Sequence, residues 1–117
     1  MARTSQQFVA DRLANFGKGN LEALVADYAP DAVIISPFGT LRGPAQAREM
    51  IRTFLAEFAL PGTTFTVLSQ GSDGRVAHFT WKAETAKTVY HFAGETYVVE
   101  NGKASYHVLA ASFSAKK

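Results

Sequence analysis

The chain has 117 residues, 47% hydrophobic and 19% charged, which is the size of one domain with its own core and far from a disordered composition. It has no cysteine, so disulfides, thiolate nucleophiles and cysteine-ligated zinc are excluded. The formal net charge of +2 comes from scattered basic residues, with only Lys116 and Lys117 adjacent. The concentrated basic stripe of a nucleic-acid surface is therefore missing. The opening stretch, Met1 to Gln7, lacks the apolar core of a signal peptide, and no apolar run reaches membrane-spanning length. The expectation is a soluble, cytoplasmic protein, residues 1–117 forming a single domain, with no nucleic-acid or membrane partner.

Thr4 to Gly17 reads as a helix. Thr4 and Gln7 have capping-box spacing, Phe8, Val9, Leu13 and Phe16 share one face, and Gly17 is a natural stop. Asn20 caps a second, shorter helix carrying Leu21, Leu24, Val25 and Tyr28, ended by Pro30. Ala32 to Ile35 is β-branched and apolar, a short buried strand closed by Ser36-Pro37. Phe38 to Arg42 reads as a turn or loop. Gly43-Pro44 opens a third helix whose apolar face holds Ala47, Met50, Ile51, Phe54, Leu55 and Phe58, with Pro61-Gly62 as its stop.

Four strands follow, at 64–70, 75–85, 88–100 and 103–113. In the second, Ala77, Phe79, Trp81 and Ala83 alternate with Val76, His78, Thr80 and Lys82. Gly94 interrupts the third and predicts a bulge or bend. Asn101-Gly102 predicts a type I′ hairpin turn. Three one-sided helices and long one-sided strands must cover each other, giving an α+β domain in which a bent sheet closed by helices leaves a cavity.

Three stretches carry a family resemblance: Asn20 to Val33, Gly43 to Glu49, and Glu95 to Lys103. With them the chain resembles the nuclear-transport-factor-2-like superfamily, and within it the SnoaL-like polyketide cyclases and the ketosteroid isomerases. The resemblance implies a cone-shaped, cystatin-like α+β roll: three N-terminal helices on a curved, mixed, mostly antiparallel sheet enclosing one apolar cavity, usually as a homodimer. It also implies positions for chemistry. The isomerases' proton-shuttling carboxylate, at the end of the first strand, aligns with Ser36, whose hydroxyl is far too weak a base to take a carbon-bound proton unaided. Their oxyanion-donating tyrosine falls on Arg12. Their neutral aspartic acid, the second donor, falls on or near Glu95.

Glu95 and His107 are the candidate catalytic pair. Glu95 shares strand parity with Tyr97 and Val99, and a carboxyl in an apolar pocket is expected to have its pKa raised. His107 on the adjacent strand supplies an imidazole that could act as the base Ser36 cannot be. Arg12, Phe16, Tyr28, Ser36, Met50, Phe54, Phe58, Trp81 and Tyr97 are the candidate ligand-binding residues, mostly core, with hydroxyls or an indole N–H to orient a ligand. Arg12 could neutralise an acidic ligand or pair with Glu95. His78 reads as outer-face or dimer interface with Val76 and Thr80, and His91 is ambiguous. The three histidines are too dispersed for a metal site. The expected function is binding of a small apolar, carbonyl-bearing molecule in a homodimer. If it is an enzyme, the expected chemistry is proton transfer without cofactor: isomerisation, cyclisation or dehydration. The alternative is a non-catalytic binding or dimerisation module.

Overall fold

The computed structural model describes residues 2–117. The elements are α1 (Ser5–Gly17), α2 (Leu21–Ala26), β1 (Tyr28–Ser36), β2 (Gly39–Arg42), α3 (Gly43–Phe58), β3 (Thr64–Asp73), β4 (Val76–Glu84), β5 (Thr88–Glu100) and β6 (Lys103–Ala115). One six-stranded sheet runs β2-β1-β6-β5-β4-β3. All pairings are antiparallel except β1 with β6, which is parallel. The sheet is open, and its inner face is covered by the helices.

Local signals explain most of these boundaries. Thr4 and Gln7 form the capping box, and Asn20 caps α2 through the amide of Ala23. Pro44 lies in the first turn of α3. At the β5–β6 hairpin Asn101 and Gly102 both have positive φ, 53° and 77°, as a type I′ turn requires. Gly43 also has positive φ, and a Cβ there would stand 3.3 Å from the Pro30 carbonyl, so α3 can begin against β1 only at a glycine.

Three expectations need correcting. The second helix stops at Ala26, and Tyr28 is the first residue of β1. Tertiary pairing overrides helical spacing here. The Ala104 amide donates to the Asp27 carbonyl at 2.8 Å, and Tyr28 already pairs with Ala104 on β6. Pro30 does not end a helix but lies in the interval where the β1–β6 register shifts, the place in a ladder that tolerates a residue with no N–H. Second, Gly39 to Arg42 is an edge strand on β1 and not a loop, too short and too polar for alternation to show. Third, Gly94 is in register with Thr80 and Ala110, while the β5 irregularities fall between Tyr90 and Phe92 and between Val98 and Val99. A Cβ at Gly94 would lie 3.4 Å from the His78 ring, so this glycine makes room for an imidazole on the outer face.

The core lies between the helices and the inner face of β1, β4, β5 and β6, with Phe8, Leu24, Tyr28, Ile34, Phe79, Trp81, Tyr97 and Leu109 among its buried residues. An aromatic cluster closes one end. Phe58 stands at its centre, 5.2 to 6.2 Å from the rings of Phe16, Phe54, Phe65, Trp81 and Tyr90. Among the described residues no helix is long and apolar enough to cross a membrane.

Candidate functional site: a hydrogen-bonded chamber around Glu95

Neighbouring strands bring the central pair together. Tyr97 faces His107 in the β5–β6 register and Glu95 faces Leu109, so Glu95 lies diagonally from His107 on the inner face. The diagonal is within side-chain reach. His107 Nε2 lies 2.8 Å from Glu95 Oε1, and the His107 ring stacks on Tyr97 at 4.2 Å. Behind them, Arg12 comes in from α1 and is buried, against the general rule for arginine. Its Nε donates to the Tyr97 hydroxyl at 2.8 Å, Nη1 donates to the Leu24 carbonyl and to Asp27 Oδ2, and Nη2 donates to the Tyr28 hydroxyl. Tyr28 is 2.8 Å from His107 Nδ1. Trp81 Nε1 donates to Glu95 Oε2 at 2.7 Å.

The donor inventory leaves one consistent proton assignment. Arginine only donates, so both tyrosine oxygens accept from Arg12 and spend their own protons elsewhere. Tyr28 O–H goes to His107 Nδ1, His107 Nε2–H goes to Glu95, and Tyr97 O–H goes to Glu95 Oε1 at 2.9 Å. Glu95 is then a carboxylate accepting three hydrogen bonds, and His107 is a neutral imidazole. Among the described residues no buried side-chain polar atom lacks a partner.

The ionisation equilibria agree. Burial alone would raise the Glu95 pKa, but the hydrogen bond from His107, the nearby Arg12 charge and the Tyr97 hydroxyl together hold it below the ordinary carboxylate range. The expectation of a raised, proton-donating Glu95 is therefore corrected: three donors turn an apolar pocket into a carboxylate's site. Burial also drives His107 down, keeping it neutral. Burial opposes the Arg12 charge, but Tyr28, Tyr97, Asp27 and Glu95 outweigh it and push its pKa up. Burial raises Tyr28 to about 12, so its hydroxyl stays protonated at neutral pH.

In front of the network is a small cavity of about 60 Å³. Arg12, Phe16, Met50, Phe54, Phe58, Trp81, Glu95, Tyr97 and His107, all singled out in the sequence, border it. Two other candidates do not. Tyr28 lies behind His107 as a network member, because it starts β1 and does not lie on a helix facing the void. Ser36 borders a separate open groove, and its hydroxyl is used locally, donating to the Gly39 carbonyl and accepting from the Phe38 amide. Arg12 is not paired directly with Glu95; its carboxylate partner is Asp27, which also binds Arg3 at 2.6 Å. His78 and His91 lie on the exposed face, bonded to Thr96 and Ser114.

Asp27 and Leu109 are members of the site that sequence reading missed. Asp27 follows a helix on which it reads as an ordinary polar residue, and nothing local marks it as a buried counter-ion. Leu109 was visible only as one more apolar position of the last strand.

Residues 9–107 match the SnoaL-like domain family. The chain belongs to that family. Solved structures of similar fold include the epoxide hydrolase/cyclase-like enzyme SalBIII of pyran-ring formation in the polyether salinomycin, 16% identical, covering 96% of this chain and 95% of that one at a TM-score of 0.78. A candidate ketosteroid isomerase from Kribbella flavida is 16% identical over 97% of this chain and 80% of its own, TM-score 0.75. A candidate polyketide cyclase from Sinorhizobium meliloti is 16% identical over 88% and 93%, TM-score 0.71. At these identities the likeness shows the fold alone. No curated protein matches the chain.

Proposed function

We propose that this SnoaL-like domain binds a small apolar carbonyl compound against Glu95 and moves a proton on it without a cofactor, as an isomerase, cyclase or dehydratase would. The observation that carries the reading is one carboxylate, Glu95, bordering a void lined mostly by apolar side chains. A carboxylate offers about four acceptor sites, and three are occupied. The remaining one is available to a ligand C–H or O–H. Glu95 is thus the group that accepts the proton. His107 acts through Glu95 as a positioning residue, since both of its ring nitrogens are already bonded. A ligand oxygen would recruit the Trp81 indole N–H or the Tyr97 hydroxyl by drawing it away from Glu95, to which both now donate.

The test is exchange of α-hydrogens of 2-butanone in deuterated water, followed by NMR. Wild-type protein is expected to accelerate exchange over buffer, and Glu95→Gln to abolish the acceleration. Equal rates for wild type and Glu95→Gln would remove the proton-transfer reading.

A second reading, a non-catalytic binding module, is favoured by the bonding of the network: among the described residues every buried polar side-chain atom already has a partner. Under it ketones bind and no exchange occurs.

The outer sheet face supports the homodimer. Ile35, Val108, Thr96 and His78 form one rung across β1, β6, β5 and β4, and Val33, Tyr106, Val98 and Val76 form the next. Ile35, Val76, Tyr106 and Val108 are all exposed. Sedimentation of wild type against Val108→Glu is expected to show a dimer turned monomer; a wild-type monomer at high concentration would refute it.

A further inference from the structure

The 60 Å³ void is far below the ~150 Å³ at which an apolar cavity takes up benzene. A ligand bearing a carbonyl and a few carbons therefore needs room that the chamber alone does not have. That room lies next door. A groove of about 450 Å³ opens to the surface between α3 and the ends of β1, β5 and β6. The two spaces share two bordering residues, Met50 and Phe54. These are one turn apart on α3, at i and i+4, so they stand on the same face. Both are only partly buried. The side chains between the two spaces thus include an aromatic ring and the adaptable thioether of methionine. Phe54 also has somewhere to lean. On the groove side it meets the exposed Phe38 at 6.2 Å, and Phe38 in turn meets Phe113 at 5.8 Å.

We infer that chamber and groove are the two halves of one binding channel, in which Met50 and Phe54 form a side-chain partition that admits the ligand and sets its length. The inference rests on ligand binding at the Glu95 chamber. The polar end of the ligand lies against Glu95 and its apolar tail passes Phe54 into the groove, along Leu41, Tyr90 and Phe113. The charged groups bordering the groove are Glu49 and Glu57, with no lysine or arginine among the residues that line it. Glu49 pairs with Arg52, and Glu57 accepts hydrogen bonds from Thr85 and Tyr90. Neither leaves a cation for an anionic tail, and at the chamber end Arg12 is already bonded to Asp27, Tyr97 and Tyr28. The ligand class is therefore a neutral, elongated, apolar molecule with a carbonyl at one end, and not a carboxylate or a phosphate ester.

The only tryptophan of the chain, Trp81, borders the chamber and bonds Glu95, so its emission reports occupancy directly. Binding of 2-alkanones from 2-butanone to 2-nonanone is to be followed by Trp81 fluorescence in wild type, Phe54→Ala, Met50→Ala and Phe54→Trp, with thermal melts for each. The expected result is affinity in wild type that grows with chain length. Short ketones should bind at least tenfold tighter in Phe54→Ala or Met50→Ala. In Phe54→Trp, 2-nonanone should bind at least tenfold weaker. Nonanoate, the anion of similar length, should bind at least tenfold more weakly than 2-nonanone. Affinities within twofold across all folded variants, or no dependence on chain length, would overturn the partition. So would nonanoate binding as well as the ketone. If ketones bind with these preferences but Glu95→Gln leaves α-hydrogen exchange unchanged, the channel stands and proton transfer falls.

Discussion

The chamber around Glu95 and the groove around Ser36 meet at Phe54 and are built on different physics. In the chamber the polar groups come from α1, β1, β4, β5 and β6, and each is held by at least one partner on another element. In the groove most polar groups bond within a few residues of themselves, as Ser36 does with Gly39 and Phe38, while Glu57 is held from afar, by Thr85 and Tyr90. The chamber therefore has chemistry and almost no space, while the groove has space and no prepared chemistry. Long-range hydrogen bonds fix a side chain to a fraction of an ångström but consume volume. Local ones leave the volume open.

The comparison can be broken most severely at Arg12. Arg12→Leu leaves Asp27 with Arg3 as its one arginine partner and takes from both tyrosine oxygens the donor they accept from. The expected loss is about 3–5 kcal/mol of unfolding free energy, because the buried bonds of Arg12 to Tyr97, Leu24, Asp27 and Tyr28 are lost at about 1 kcal/mol each. Urea denaturation measures it; a loss under ~1 kcal/mol would mean that the network does not hold the chamber together.

Tyr28→Phe is gentler. It removes the hydroxyl between Arg12 and His107 and leaves both with an unmet hydrogen bond, at an expected cost of about 1–3 kcal/mol. It should also release the His107 Nδ1 resonance from its present environment, which imidazole nitrogen NMR reads.

The pH response sharpens the contrast further. His107 is held neutral, so the unfolded chain takes up its proton first, and stability falls as pH drops below the ordinary histidine value of 6.5. Glu95 is held ionised, so it contributes stability above the ordinary carboxylate value of 4.5 and loses it as pH falls through its lower folded value. Two acid-side losses are expected in the melting temperature, the first missing in His107→Gln and the second in Glu95→Gln.

The smallest effect belongs to the groove. Ser36→Ala loses two exposed local hydrogen bonds and should cost no more than about 1 kcal/mol. It should also leave Trp81 emission unchanged, since Ser36 does not border the chamber.

How much of this could be read beforehand varies with the range of the interaction involved. Thr4, Asn20, Pro44 and Asn101-Gly102 act within a few residues, and each set its boundary as read. Tyr28 was misplaced because a pairing with Ala104 outweighs the helical spacing of Leu21, Leu24 and Val25. The Gly94 bend was misread because the reason for that glycine is the ring of His78 on another strand. Glu95 and His107 could be suspected of meeting from strand parity, but not that Tyr97, Trp81 and Tyr28 would saturate them.

The sequence by itself determined the α+β class, the capped helices, the hairpin and which apolar faces must be covered, because periodicity and turn chemistry are local. It also singled out most of the side chains that border the chamber. Only the tertiary structure decided their states. Glu95 is ionised and not neutral, His107 is a holder and not a free base, Arg12 is a buried keystone bound to Asp27, and Ser36 belongs to another space. Each of those outcomes depends on which donors arrive from distant strands and on how much water they displace, and neither is written in any short stretch of the chain.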